Sequence, residues 1–237
     1  MIAIGQFFFR FRNALFPLIV LAAVLLARPH YSFGSEAMDL LVDLLGIAII
    51  FAGQTLRVIT IGYEYIRRGG ARWASLRERS GTGRDLRPLS DPLYVGNILI
   101  ATGFLVVLGR GWLILLGVPL ILFIYSAIVS AEEEYLSRKF GGLYADYRER
   151  VNCWLPDWTG LRESLAPMRF NWQRVLVKEY NTIFAVLAAL LLIQTWTRVG
   201  EEGMSERQWV WVIVSACGLL AGYLSIRLVK KQRWIRG

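Results

Sequence analysis

Apolar residues run along this chain in long blocks, not in the short alternating patterns of a sheet. A helix needs about 20 apolar residues to cross a bilayer core. Ala14–Ala27, continuing from Ile2–Phe9, forms one such block, and Leu40–Ile61 forms a second. Leu93–Leu108 and Trp112–Val129 make a pair around the Gly-Arg-Gly turn at 109–111. Tyr180–Thr197 and Trp209–Val229 make a last pair. The pattern predicts an all-α polytopic bundle of about six spans, the fourth running on past the bilayer as a longer helix.

Polar punctuation divides the chain into three parts. Residues 1–66 give an entry hairpin of two spans. Residues 67–160 hold a basic loop, a tight helical hairpin and a polar tail. Residues 161–237 hold a linker and a second hairpin. Within the middle part, Arg67–Ser90 is rich in Gly and Arg and reads as a surface loop with one short helix near Trp73–Arg79. Ser90-Asp91-Pro92 then marks a helix start: Asp caps open N–H groups, and Pro at the first helical position loses no hydrogen bond. The third span should therefore begin at Pro92. The fourth should continue through Glu132-Glu133-Glu134 until Gly141-Gly142 stops it.

Composition sharpens this picture. The chain is 55% hydrophobic over 237 residues, with a net charge of +9. With both termini inside, segments 1–13, 62–91, 130–179 and the tail from Arg227 hold 22 of the 27 basic residues. The outer loops hold Arg28, Arg110, Arg198 and Arg207, and Arg57 lies within a span. That asymmetry is what the positive-inside rule requires. The charge thus reads as topology and contact with anionic lipid, and excludes a nucleic-acid footprint. Trp73, Trp112, Trp154, Trp158, Trp172, Trp196, Trp209 and Trp234 fall near span ends or in interfacial loops, where indole rings are favoured. Arg10 and Arg12 before an apolar run resemble a signal peptide, but Ala27-Arg28-Pro29 is a poor cleavage site, so a retained anchor is expected. Cys153 and Cys217 have no metal-ligand spacing, and no metal is expected.

Three features carry candidate chemistry. Asp91 at the third span's start reads first as a helix cap. The acidic run Glu132–Glu134 reads on composition as a solvated helix end paired with Arg138 or Lys139. Pro92 to Arg110 is 18 residues and Arg110 to Glu132 is 22, so the two arms differ by about 6 Å at 1.5 Å per residue, and their inner ends can share a pocket. Arg57 stands in the second span, with Gln54 one turn before it and Glu64 two turns after. An ionisable residue there is a functional hypothesis by default, the plain alternative being a side chain that snorkels to the interface. The functional reading is contact with an anionic substrate head group. His30, beside Pro29 and Tyr31, reads as an ordinary loop residue.

Asp91-Pro92-Leu93-Tyr94-Val95-Gly96-Asn97, then Glu132-Glu133 with Leu136, then Phe140-Gly141, Tyr144, Tyr147, Val151 and Pro156, resemble the membrane methyltransferases. That family includes the isoprenylcysteine carboxyl methyltransferases and bacterial phospholipid N-methyltransferase relatives. The resemblance covers about residues 84–156. It implies a fold in which S-adenosylmethionine binds from the cytosol and a lipid-like or prenylated substrate arrives from the bilayer. Carried over by position, it nominates Arg87, Pro92, Tyr94, Gly96, Asn97, Glu132, Glu133 and Tyr144 for the cofactor. Glu133 and Asp91 are then the groups able to take a proton from an amine acceptor, with Arg57 at the substrate. The chain departs from the family pattern at Ser90-Asp91-Pro92, where the family has Arg-His-Pro.

The residues also leave plain readings open. Gly96 can serve helix packing, and Tyr144 and Tyr147 can be interface anchors. Two other function classes stand beside the enzyme: a non-catalytic member of the fold that binds lipid or a partner, and a sterol-reductase-like NADPH enzyme. The chain's size and its double Glu argue against the reductase. The abundance of such proteins in bacteria points to a bacterial inner membrane.

Overall fold

The computed structural model describes residues 2–27, 36–63, 92–140, 170–201 and 203–231. Among the described residues there are six α-helices and no strand. They are α1 (Ile2–Ala27), α2 (Glu36–Gly62), α3 (Pro92–Val107), α4 (Gly111–Phe140), α5 (Trp172–Glu201) and α6 (Glu206–Lys231). The helices α2, α4, α5 and α6 are each long and apolar enough to cross a membrane. The shorter α3 has 16 residues, about 24 Å at 1.5 Å per residue. The loop 67–90, His30, Arg87, Asp91, Gly141-Gly142, Tyr144, Tyr147, Cys153 and Pro156 lie outside the described residues.

Helix ends follow local chemistry. α3 is described from Pro92 on and ends where Gly109 adopts a φ of 64°. There the Gly109 N–H donates to the Val106 carbonyl at 2.8 Å. This left-handed stop is open to Gly at little steric cost. Arg110 then begins α4, its carbonyl accepting from the Ile114 N–H at 3.1 Å. α4 keeps its helical course through Pro119 and on past the acidic run to Phe140. α5 is capped by Asn171, whose Oδ1 accepts from the Arg174 N–H at 2.9 Å. α6 opens with a capping box: the Ser205 N–H donates to Gln208 Oε1 at 2.8 Å, and the Gln208 N–H donates to Ser205 Oγ at 3.4 Å.

The helices alternate in direction. In α1 and α4, Gly5 lies against Ala127 and Ala131, while at the other end Arg110 Nε donates to the Ala27 carbonyl at 2.8 Å. In α2 and α3, Gly46 faces Gly103 and Gly53 faces Gly96. A Cβ on Gly96 would lie 3.0 Å from the Gly53 carbonyl oxygen, and one on Gly53 would lie 2.7 Å from that of Gly96. Each helix thus places its two glycines two turns apart, so the bare stripes coincide along the crossing. Such close backbone approach is how helices gain packing energy where lipid supplies no hydrophobic force.

α3 is the centre. It packs on α2, α4 and α1, and buries Tyr94, Ile100, Ala101, Phe104, Leu105 and Val107 among its neighbours. α5 docks on α2, and α6 packs on α5. No residue of α6 is buried, although it carries Trp211, Ile213, Leu220 and Leu228. All six helices thus bring one end to a common face, here called the motif face: the beginnings of α1, α3 and α5 and the ends of α2, α4 and α6.

Candidate functional site

Two polar clusters lie in the motif-face half of the bundle, and both use α3. The first joins α3 to α4. The Tyr94 hydroxyl donates to Glu132 Oε2 at 2.8 Å, and its ring lies 5.6 Å from that of Tyr125. Tyr94 is buried and Tyr125 nearly fully so, while Glu132 and Glu133 are half-buried. The depth match of the hairpin arms is therefore realised as a direct bond between the two motif segments. Glu134 is half-buried like Glu132 and Glu133, but its partner is an exposed one. It pairs with Arg138 one turn on at 2.7 Å, in solvent, which is the plain reading of the acidic run for that residue.

The second cluster joins α2, α3 and α5. Arg57 forms an ion pair with Glu179 through Nη2, while its Nε donates to Glu179 Oε2 at 3.2 Å. Arg57 Nη1 donates to Asn97 Oδ1, and Nη2 reaches Thr182 Oγ1 at 3.3 Å. Gln54 Nε2 adds a bond to Glu179 Oε2 at 3.3 Å. The Glu179 side chain is 1% exposed and that of Arg57 12%. A charge so enclosed is retained only when paired and hydrogen-bonded. Here the guanidinium is answered by one carboxylate and two neutral acceptors, and the carboxylate by two donor side chains.

Helical geometry explains why the nominated residues of α3 divide between the clusters. Tyr94 and Gly96 are two positions apart, roughly 200° around a helix of 3.6 residues per turn. Tyr94 therefore turns to α4 while the bare side of Gly96 turns to α2. The position a Cβ on Gly96 would take lies 2.6 Å from Arg57 Cγ. Pro92 begins the helix and is buried. Of the residues nominated from the sequence, the structure joins Tyr94 with Glu132 and Arg57 with Asn97, and seats Gly96 against Arg57. Arg87, Asp91 and Tyr144 lie outside the described residues. No group of His, Cys, Asp and Glu able to hold a metal ion occurs among the described residues.

Three participants were not foreseen. Glu179 stands one residue before the apolar run of the fifth span and beside Lys178, where it reads as a loop charge; its helix in fact begins at Trp172. Thr182 and Tyr125 read as ordinary span residues. The discoverable trace was Arg57 itself, since an arginine inside a span that does not snorkel calls for a polar partner at the same depth.

Comparison with family models, curated proteins and solved structures returns no match to this chain.

Proposed function

We propose that this chain is an integral membrane methyltransferase that moves a methyl group from S-adenosylmethionine to a lipid-like or prenylated acceptor. It crosses a bacterial inner membrane six times, with both termini and the motif face in the cytoplasm. One observation supports this above others: the Tyr94–Glu132 bond, which unites two segments 38 positions apart that the resemblance assigns to one cofactor site.

The donor set fits the group. The cofactor carries a sulfonium, an ammonium and ribose hydroxyls, which call for oxygen acceptors, and a carboxylate, which calls for N–H donors. Glu132 and Glu133 present carboxylates at a half-buried position, where charge-assisted hydrogen bonds are strong. The first turn of α3 presents open backbone N–H groups after Pro92, and a helix N-terminus favours anions. Tyr94 orients Glu132. Arg87 and Tyr144 join the site on the resemblance. When bound, the cofactor supplies an electrophilic methyl group on sulfur. The chain's residues bind and align the partners and keep water out, which provides much of the acceleration in an in-line displacement. A carboxylate acceptor needs no base; an amine acceptor would give its proton to Glu133 or Asp91.

A second reading is a non-catalytic member of the fold that binds a lipid or partner. One observation favours it: Asp91 stands where the resemblance expects His. Calorimetric titration of the detergent-purified protein with S-adenosylhomocysteine and with NADPH separates the readings. The expected result is binding of the first alone, abolished by Glu132→Ala and by Glu133→Ala. Binding of neither selects the second reading, and binding of NADPH alone selects a reductase.

A further inference from the structure

The final hairpin, α5 and α6, carries no motif, yet it supplies the most deeply buried charge among the described residues. Glu179 is nearly sealed from solvent, and its partner is not on its own hairpin. Arg57 in turn holds Asn97, one turn beyond Tyr94 on the same helix, and its aliphatic stem lies on the bare face of Gly96. Hence α5 touches α2, and through one guanidinium it also reaches the motif end of α3. Thr182, one turn along α5 from Glu179, accepts from the same Nη2. The guanidinium fork, with its donors in a fixed plane, binds three helices at defined angles as a lysine ammonium cannot.

We infer that Glu179 and Arg57 are positioning residues: the final hairpin clamps α3 through the chain Glu179–Arg57–Asn97 and so sets where Tyr94 meets Glu132. This rests on the cofactor reading only for its effect on ligand binding; the clamp itself is independent of it. Arg57 then does not receive a substrate head group. The tightness of the Gly53–Gly96 crossing belongs to the same device, because a side chain at position 96 would displace the Arg57 stem.

The test is a distance measurement on the full-length protein in lipid nanodiscs. Spin labels go on Val95→Cys in α3 and Leu176→Cys in α5, with Cys153 and Cys217 changed to serine. The expected distance distribution is narrow with the native pair, broad in Glu179→Gln, and narrow again in the reversed pair Arg57→Glu/Glu179→Arg. Reversal is chemically permitted, since the Asn97 amide can turn to donate instead of accept. An unchanged distribution in Glu179→Gln overturns the clamp, as does a reversed pair no narrower than the single variant. Should Glu179→Gln fail to fold, the reversed pair decides: a folded, narrow protein supports the clamp, and a second failure to fold overturns it.

The same samples are titrated with S-adenosylhomocysteine. Weakening on the order of tenfold in Glu179→Gln, recovered in the reversed pair, is the expected effect of a residue acting through another. Equal affinity in Glu179→Gln overturns the link between the clamp and the site. Absence of binding to the unsubstituted protein overturns the methyltransferase reading instead, and the distances alone then judge the clamp.

Discussion

At the scale of single residues, the bundle separates charges that matter from charges that do not. Deleting one partner of an enclosed ion pair strands the other, at a cost of about 3–5 kcal/mol. Arg57→Gln and Glu179→Gln should therefore each destabilise the protein by about that amount in denaturant titrations in micelles, and the double variant should cost less than the two singles combined. By contrast, Glu134 and Arg138 meet in solvent one turn apart, so Glu134→Ala should change stability by no more than about 0.5 kcal/mol. Part of this was legible in the sequence. Arg57 was conspicuous because an apolar block surrounded it, and Glu134–Arg138 was legible because a helix fixes which residues lie one turn apart. The Arg57 partner was not legible: it lies 122 positions away in the chain. Tyr94 and Glu132 were legible as two ends of one hairpin, while the bond between them depended on rotation of each helix about its own axis, which apolar patterning leaves open.

At the scale of helices, position was written more plainly than length. Every apolar block became a helix. The ends moved outward where polar residues continue a helix at the interface. α5 begins at Trp172, eight residues before its apolar run, because Asn171 caps it and Phe170 packs its ring 5.1 Å from Tyr63 at the end of α2. Contacts between helices were less legible. Glycine is common in spans, and the matching of Gly46 with Gly103 and of Gly53 with Gly96 follows from the register of the α2–α3 pair. This yields a sharp contrast. Gly53→Leu and Gly103→Leu should prevent stable packing of α2 on α3, seen as loss of the monodisperse species in size-exclusion chromatography. Gly218→Ala on α6 should leave that species intact and be neutral or slightly stabilising, because nothing lies within 4 Å of the added methyl and alanine is the better helix former by about 1 kcal/mol.

For the whole molecule, the distribution of exposure is the physical argument. α6 has no buried residue, and Phe51, Leu115 and Leu192 of three other helices are also largely uncovered, at 72%, 73% and 68% exposed. Water would penalise that surface at about 25 cal/mol per Å², whereas lipid tails accept it without cost. The ends of the helices tell the same story. Lys230, near the end of α6, lies 5.0 Å from the Tyr180 ring and donates to the Val177 carbonyl at 3.0 Å. On the opposite face, Trp112, Trp196 and Trp209 are exposed near helix ends, as indole rings at a membrane surface are. The alternation of helix direction places Arg138, Lys139, Lys230 and Lys231 together on the motif face. Arg110 and Ser205 stand on the other. If the positive-inside bias sets orientation, single cysteines answer the question directly in a background with both native cysteines changed to serine. Cysteine at Ser205 should react with a membrane-impermeant maleimide added to intact spheroplasts. Cysteine at Ser137, near the end of α4, should react only after the membrane is permeabilised. The reverse pattern would put the Tyr94–Glu132 end outside, beyond the reach of a cytosolic cofactor. Equal labelling of both from one side would remove the membrane-crossing arrangement altogether, because these positions lie at opposite ends of the bundle.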